Sequence, residues 1–303
     1  DDVNEMSDPI TPELRAIDAI NPLDRTLKEA YEGGITTVAT GPGSSNIVCG
    51  QFVAIKTYGR RIDDMVIKEP LAMKVALGEN PKSIYGDRKM SPMTRMATAS
   101  MLRDLLIKTE NYVNSKDKDF DMKLEAMSKV IKKEIPLKVH VHRADDIFTA
   151  IRIAKEFDID MTLDHCTEGH LIADYLKEEN ISVITGPAFT DRSKIELVNL
   201  TFETPGILSK EGIKVAIMTD SPEVPVYYLP LCAGLAVKAG MDEMEALKAI
   251  TINPAEILGI DDRVGSIEVG KDADIVIFDG HPLRNIQCKV MTTIIDGKVV
   301  YSC

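Results

Sequence analysis

The stretch KVHVHRADDI, Lys138 to Ile147, carries two of the chain's five histidines, His140 and His142. In an extended strand alternate residues share a face, so these imidazoles project side by side. That is costly in an apolar core and useful where a cation is held or a proton moved. A third, His165, ends the run DMTLDHC (160–166). Adjacent parallel strands lie roughly 4.8 Å apart. His140 and His165 at matching heights could therefore share a cation, with zinc–nitrogen distances of about 2.0–2.1 Å. Asp220, ending KVAIMTD, could add a carboxylate from a third strand, and Glu79, in GENPK (78–82), a bridging one.

Each of these residues also has a plain structural reading. A single histidine can be a buried, hydrogen-bonded core residue, and Asp220 can cap the next segment. Glu79 can pair with Lys82 or Arg88. The coordinated placement of His140, His165 and Asp220 favours a metal site. Within HVH, His140 is the expected ligand. His142, nearer the rim, is expected to meet substrate or support the ligands. His170 either faces the site mouth or is an exposed helix residue, and His281, in DGHPL, reads as structural. Lys56 and Lys74 lie inside strand runs, where a modified lysine could bridge two metals. The loop GPGSSNIVCGQ (41–51) lacks the GxxxxGK[ST] pattern of a phosphate loop and reads as an active-site loop.

The elements that must position these groups alternate. Strand runs are ITTVAT (35–40), QFVAIKTYG (51–59), AMKVALG (72–78), LKVHVH (137–142), DMTLDHC (160–166), ISVITGPA (181–188) and KVAIMTD (214–220). Several are apolar with few polar breaks, as suits strands buried on both faces of a parallel sheet. Helical spacing fills 94–113, 145–157 and 167–179, the last with Thr167 as N-cap, then 227–239, 242–250 and 254–258. Repeated strand–helix units imply a parallel sheet with its site at the carboxyl ends of the strands, where Glu79, His140, His142, His165 and Asp220 all fall. The tail, VGSIEVGKDADIVIFDG (264–280) and VMTTIIDGKVVYSC (290–303), reads as strands broken by turns, with Asp296-Gly297 as a hairpin.

A chain of 303 residues, 44% hydrophobic and 28% charged, suits a globular protein with a sizeable core. Its net charge of −12 argues against nucleic acid or an anionic membrane as partner, and no apolar run reaches the length of a membrane span. A small-molecule substrate is expected, and a homo-oligomer is open. Five scattered cysteines without a CxxC suit a reducing, cytoplasmic setting.

KVHVHRADDI, TLDHCTEGH and IMTDSPEVP, in this order, followed by NPAEILGI, GSIEVGKDADIVIFDG and TIIDGKVVY, resemble the metal-dependent amidohydrolase superfamily. Within it, the chain most resembles the imidazolonepropionase-related and prolidase-like branches. The resemblance implies a (β/α)8 TIM-type barrel over 1–260, with a small β-sandwich portion over 261–303. It implies one or two divalent metals, zinc before iron or manganese. The strand-five ligand falls on His140, the strand-six ligand on His165 and the strand-eight aspartate on Asp220. Some relatives would add Glu79 to the metal shell. The family's HxH pair belongs to a first strand. No histidine precedes His140, so the resemblance places that strand and pair before Asp1 and makes the chain a fragment, incomplete in its metal site.

The implied chemistry is hydrolysis of a C–N bond in an amide, cyclic amide or dipeptide by metal-activated water. Asp220 would act as catalytic proton carrier. His142, Arg143 and His170 would contact substrate, and Arg143 or Arg192 could bind a carboxylate. Deamination within the superfamily is an alternative. Its members place a glutamate where this chain has His142 and Arg143. A non-catalytic scaffold on a decayed barrel is another.

Overall fold

The computed structural model describes residues 2–303. Seven strands pair in chain order: β1 (Thr37–Thr40), β2 (Val48–Lys56), β3 (Val66–Ala76), β4 (Leu137–Val141), β5 (Met161–His165), β6 (Val183–Thr185) and β7 (Val215–Ile217). β3–β4, β4–β5 and β6–β7 pair in parallel. A doubly wound sheet would reverse its strand order at a switch point. This order never reverses, as in a (β/α) barrel. A separate antiparallel sheet holds β8 (Ile275–Phe278), β9 (Val290–Ile295) and β10 (Lys298–Ser302). The fold is thus α/β, with a small C-terminal β portion, as the sequence leads one to expect. Each of the seven expected runs contains a strand.

Every residue of β2 and of β4 is buried. Among the described residues, ten helices precede, separate or follow the strands: α1 (Arg25–Glu32), α2 (Glu79–Asp87), α3 (Arg95–Asn114), α4 (Met122–Ile131), α5 (Ala144–Glu156), α6 (Ala173–Glu178), α7 (Thr204–Lys210), α8 (Leu229–Lys238), α9 (Glu243–Lys248) and α10 (Ile252–Leu258). Thr94, Asp121 and Asp242 cap α3, α4 and α9 by accepting backbone N–H bonds. The helix expected over 167–179 is broken. A 3-10 turn, Gly169–Leu171, precedes α6, and Ile172 between them leaves helical geometry at φ −135°, ψ 28°. In the tail, 264–274 forms turns rather than strand, with Gly265 and Gly270 at φ near 100°.

The chain divides into two compact units. The first takes the segment through Ala19, Ala39–Val53 and Glu69–Cys166. Its interior holds a buried charge group: the Lys74 and Lys138 ammoniums lie 2.6 and 2.7 Å from opposite oxygens of Asp164. Burial alone would raise the Asp164 pKa, but the two ammoniums overcome it and hold the carboxyl down to about 2. The second unit takes Ile20–Val38, Ala54–Lys68 and Thr167–Cys303. There Lys56, also buried, meets Asp274 at 2.8 Å and Asp272 at 2.9 Å, tying the end of β2 to the turn before β8. Burial opposes that ammonium, yet the carboxylates of Asp274 and Asp272 raise its pKa. The β9–β10 hairpin turns through Asp296 and Gly297, both at positive φ, as the Asp-Gly pair foretells.

Asp164→Asn should leave two buried ammoniums without their counter-charge. We expect a loss of about 3–5 kcal/mol of unfolding free energy, measured by urea denaturation. A loss below about 1 kcal/mol would show that the lysines find other compensation.

Candidate metal centre

On β4 the face that carries His140 also carries Lys138, with His142 continuing it just past the strand. The parallel register pairs Lys138 with Thr162, His140 with Asp164 and Val141 with His165. By alternation Asp164 shares the His140 face, and His165 should point the other way. The backbone corrects this. His165 and Cys166 sit at φ 66° and 48°, and the strand ends there. Non-glycine residues at positive φ are uncommon, and surrounding structure must hold them. Here the Cys166 N–H donates to the carbonyls of Val141 and Asp164, each at 2.9 Å, which pins the turn.

The result is a packed group of three imidazoles. Ring centroids are 4.8 Å apart for His140–His142 and 4.5 Å for His140–His165 and His142–His165, the last pair nearly stacked. Their candidate ligand nitrogens all lie within 4.8 Å of one another, and all three residues are buried. Three imidazole donors with no carboxylate among them suit a borderline cation such as zinc better than the oxygen-seeking calcium or magnesium. On donor chemistry and burial the group fits a divalent metal.

One pleat step back along the strands lie Lys74 and Lys138, whose ammoniums meet Asp164, the residue in register with His140. Lys74 is in register with Lys138, and Ala76 with His140. The Phe52 ring lies 5.6 Å from each ammonium. Side chains on a barrel's inner face stack in such layers. Sequence reasoning missed Asp164 and Lys138. The signal was there: charged residues at alternating positions inside three apolar strand runs need one another.

The remaining expected residues are placed as follows. Glu79 opens α2, half-buried, and is not a member of the three-histidine group. Asp220 lies in the second unit, exposed and at φ 50°, just beyond β7. His170, in the 3-10 turn, sets its Nδ1 3.1 Å from the Thr167 carbonyl and 3.0 Å from the Thr204 hydroxyl. Arg143 donates two bonds to Asp145, at 2.9 and 3.0 Å, and Arg192 donates to the Leu200 carbonyl at 2.6 Å. The two lysines considered as metal bridges both have ion pairs: Lys74 with Asp164, and Lys56 with Asp272 and Asp274. His281 sits by Glu243, its Nε2 at 3.4 Å. No helix among the described residues is long and apolar enough to cross a membrane.

With this geometry in hand, the model of the amidohydrolase family matches residues 23–300. The chain belongs to the amidohydrolase family. A crystal structure of an amidohydrolase from Thermotoga maritima MSB8 is 42% identical, with a TM-score of 0.97, over 100% of this chain and 81% of that one. Amidohydrolase tasK from Hapsidospora irregularis is 28% identical over 316 residues, 93% of this chain but 32% of that protein. An imidazolonepropionase from Brevibacillus brevis is 41% identical over 97 residues, 29% of this chain and 23% of that enzyme. The chain thus matches about a third and about a quarter of the length of these two curated relatives.

Removing one imidazole from the group should loosen any metal it holds. In the full-length protein His165→Ala should lose most bound divalent metal by elemental analysis, and His281→Ala should keep it. Equal metal in His165→Ala and wild type would contradict the site.

Proposed function

We propose that the protein hydrolyses a C–N bond of a small-molecule amide, cyclic amide or dipeptide with the help of a divalent metal. The observation that carries this reading is the buried three-histidine group in a chain of the amidohydrolase family. His140 and His165 would hold the cation. His142 is close enough to join them, with substrate contact as its other role. A cation bound there would supply Lewis acidity and make water a stronger acid.

The chain's own residues supply the rest. His140 and His165 are locked by a parallel ladder and a pinned turn, so little reorganisation is needed when charge develops. In this reading Asp220 takes a proton from the attacking water and delivers it to the leaving nitrogen. Arg143, oriented by Asp145, would meet an anionic group of the substrate. In His170, an Nδ1–H facing the Thr167 carbonyl would leave Nε2 as the basic nitrogen, which makes it the alternative proton carrier. The likeness to an imidazolonepropionase supports a cyclic amide among the substrates to be tried.

The test separates proton transfer from metal binding. Asp220→Asn keeps the shape but cannot take a proton. We expect the full-length variant to fold, to keep a substantial share of its metal and to lose about 10²–10⁴ in turnover. The assay is a panel of dipeptides and cyclic amides, with metal measured on the same samples and ammonia release from amidines as a check for deamination. Near-normal turnover with any accepted substrate would remove Asp220 from the role and favour His170.

A further inference from the structure

We propose that Asn80 is a positioning residue for His140, and that Ser44 of the glycine- and serine-rich loop holds Asn80 in place. This rests on the metal-site reading above and adds to it a control of the site by a loop that the function so far leaves unused.

The placement follows from the chain. Ala76, the last residue of β3, is in register with His140, and the Leu77 N–H donates to the His140 carbonyl at 3.0 Å. Gly78 then turns at φ 82°, and α2 begins at once. Asn80, in its first turn, therefore comes up beside the imidazole. The side-chain amide nitrogen assigned to Asn80 lies 3.3 Å from His140 Nε2 and 2.8 Å from Ser44 Oγ. An amide can serve either ring state. Its nitrogen donates to an Nε2 lone pair, and its oxygen accepts from an Nε2–H. With the oxygen toward the ring, the contact fixes the ring's rotation and the Nε2–H tautomer and leaves the Nδ1 lone pair for a cation, the task that outer partners of metal-binding histidines perform.

Ser44 is itself held. The Ser45 N–H donates to the Asn4 side-chain oxygen at 3.2 Å, and Gly43 lies so close to the Asn4 amide that a Cβ there would sit 2.6 Å from it. The next residue, Asn46, is buried. It donates to the Glu5 carbonyl at 2.6 Å and to Thr11 Oγ1 at 2.9 Å, and accepts from the Tyr85 hydroxyl at 2.6 Å. Tyr85 belongs to α2, the helix that carries Asn80, and is fully buried. Loop and helix are therefore fastened to each other at two points: Ser44 to Asn80 and Asn46 to Tyr85. The first of these reaches His140.

The experiment measures zinc affinity of the full-length protein by chelator competition, together with the ring-nitrogen chemical shifts of labelled His140 in the metal-free state. We expect wild type to bind zinc and to show one His140 tautomer. Asn80→Ala should weaken zinc binding about 10–100-fold, with His140 averaging between tautomers and the circular dichroism spectrum unchanged. Ser44→Ala should change both readings in the same direction by less. If wild type binds no zinc, the metal-site reading fails first. If wild type binds zinc and Asn80→Ala matches it in affinity and tautomer, the inference is overturned. Should Asn80→Ala unfold, Ser44→Ala decides: unchanged affinity and tautomer there would overturn it as well.

Discussion

The parallel register of β3, β4 and β5 is the constraint on which the rest depends. It sets Ala76, His140 and Asp164 at one height and Lys74 beside Lys138 a step below. A shift of one residue would send every side chain of a strand to the opposite face. His140 would leave the imidazole group, and Lys138 would leave Asp164. Site and core charge are therefore specified by the same hydrogen-bond ladder.

That ladder also makes the charges tolerable. Three ionised side chains in a buried layer carry a desolvation cost that only close pairing offsets. Asp164 meets two ammoniums within 2.7 Å, and the Phe52 ring lies near both. This layer carries one more positive than negative charge. Neutral imidazole is the form that ligates metal. The left-handed turn at His165 and Cys166 belongs to the same arrangement, because it brings in a third imidazole that strand alternation would have turned away.

Much of this was legible in the sequence. The seven strand runs, the hairpin at Asp296-Gly297 and the shared face of His140 and His142 follow from period and composition. Other features were not. α2 has no side-chain cap and contains Pro81, so nothing local announced it, yet it delivers Asn80 to His140. The meeting of His165 with the other two depends on a positive φ at a histidine, which no propensity predicts. The Lys74–Asp164–Lys138 group needs register, which a single sequence does not state, although unpaired charges in apolar runs were a hint. The tail was over-read: GSIEVG alternates like a strand, but its glycines take left-handed turns.

The most direct test of the account is where a metal sits. Crystals of the full-length protein grown with zinc and measured at the zinc absorption edge should show an anomalous peak about 2.0–2.1 Å from a nitrogen of His140 and of His165. Zinc found only elsewhere on the protein, with these imidazoles unligated, would contradict it.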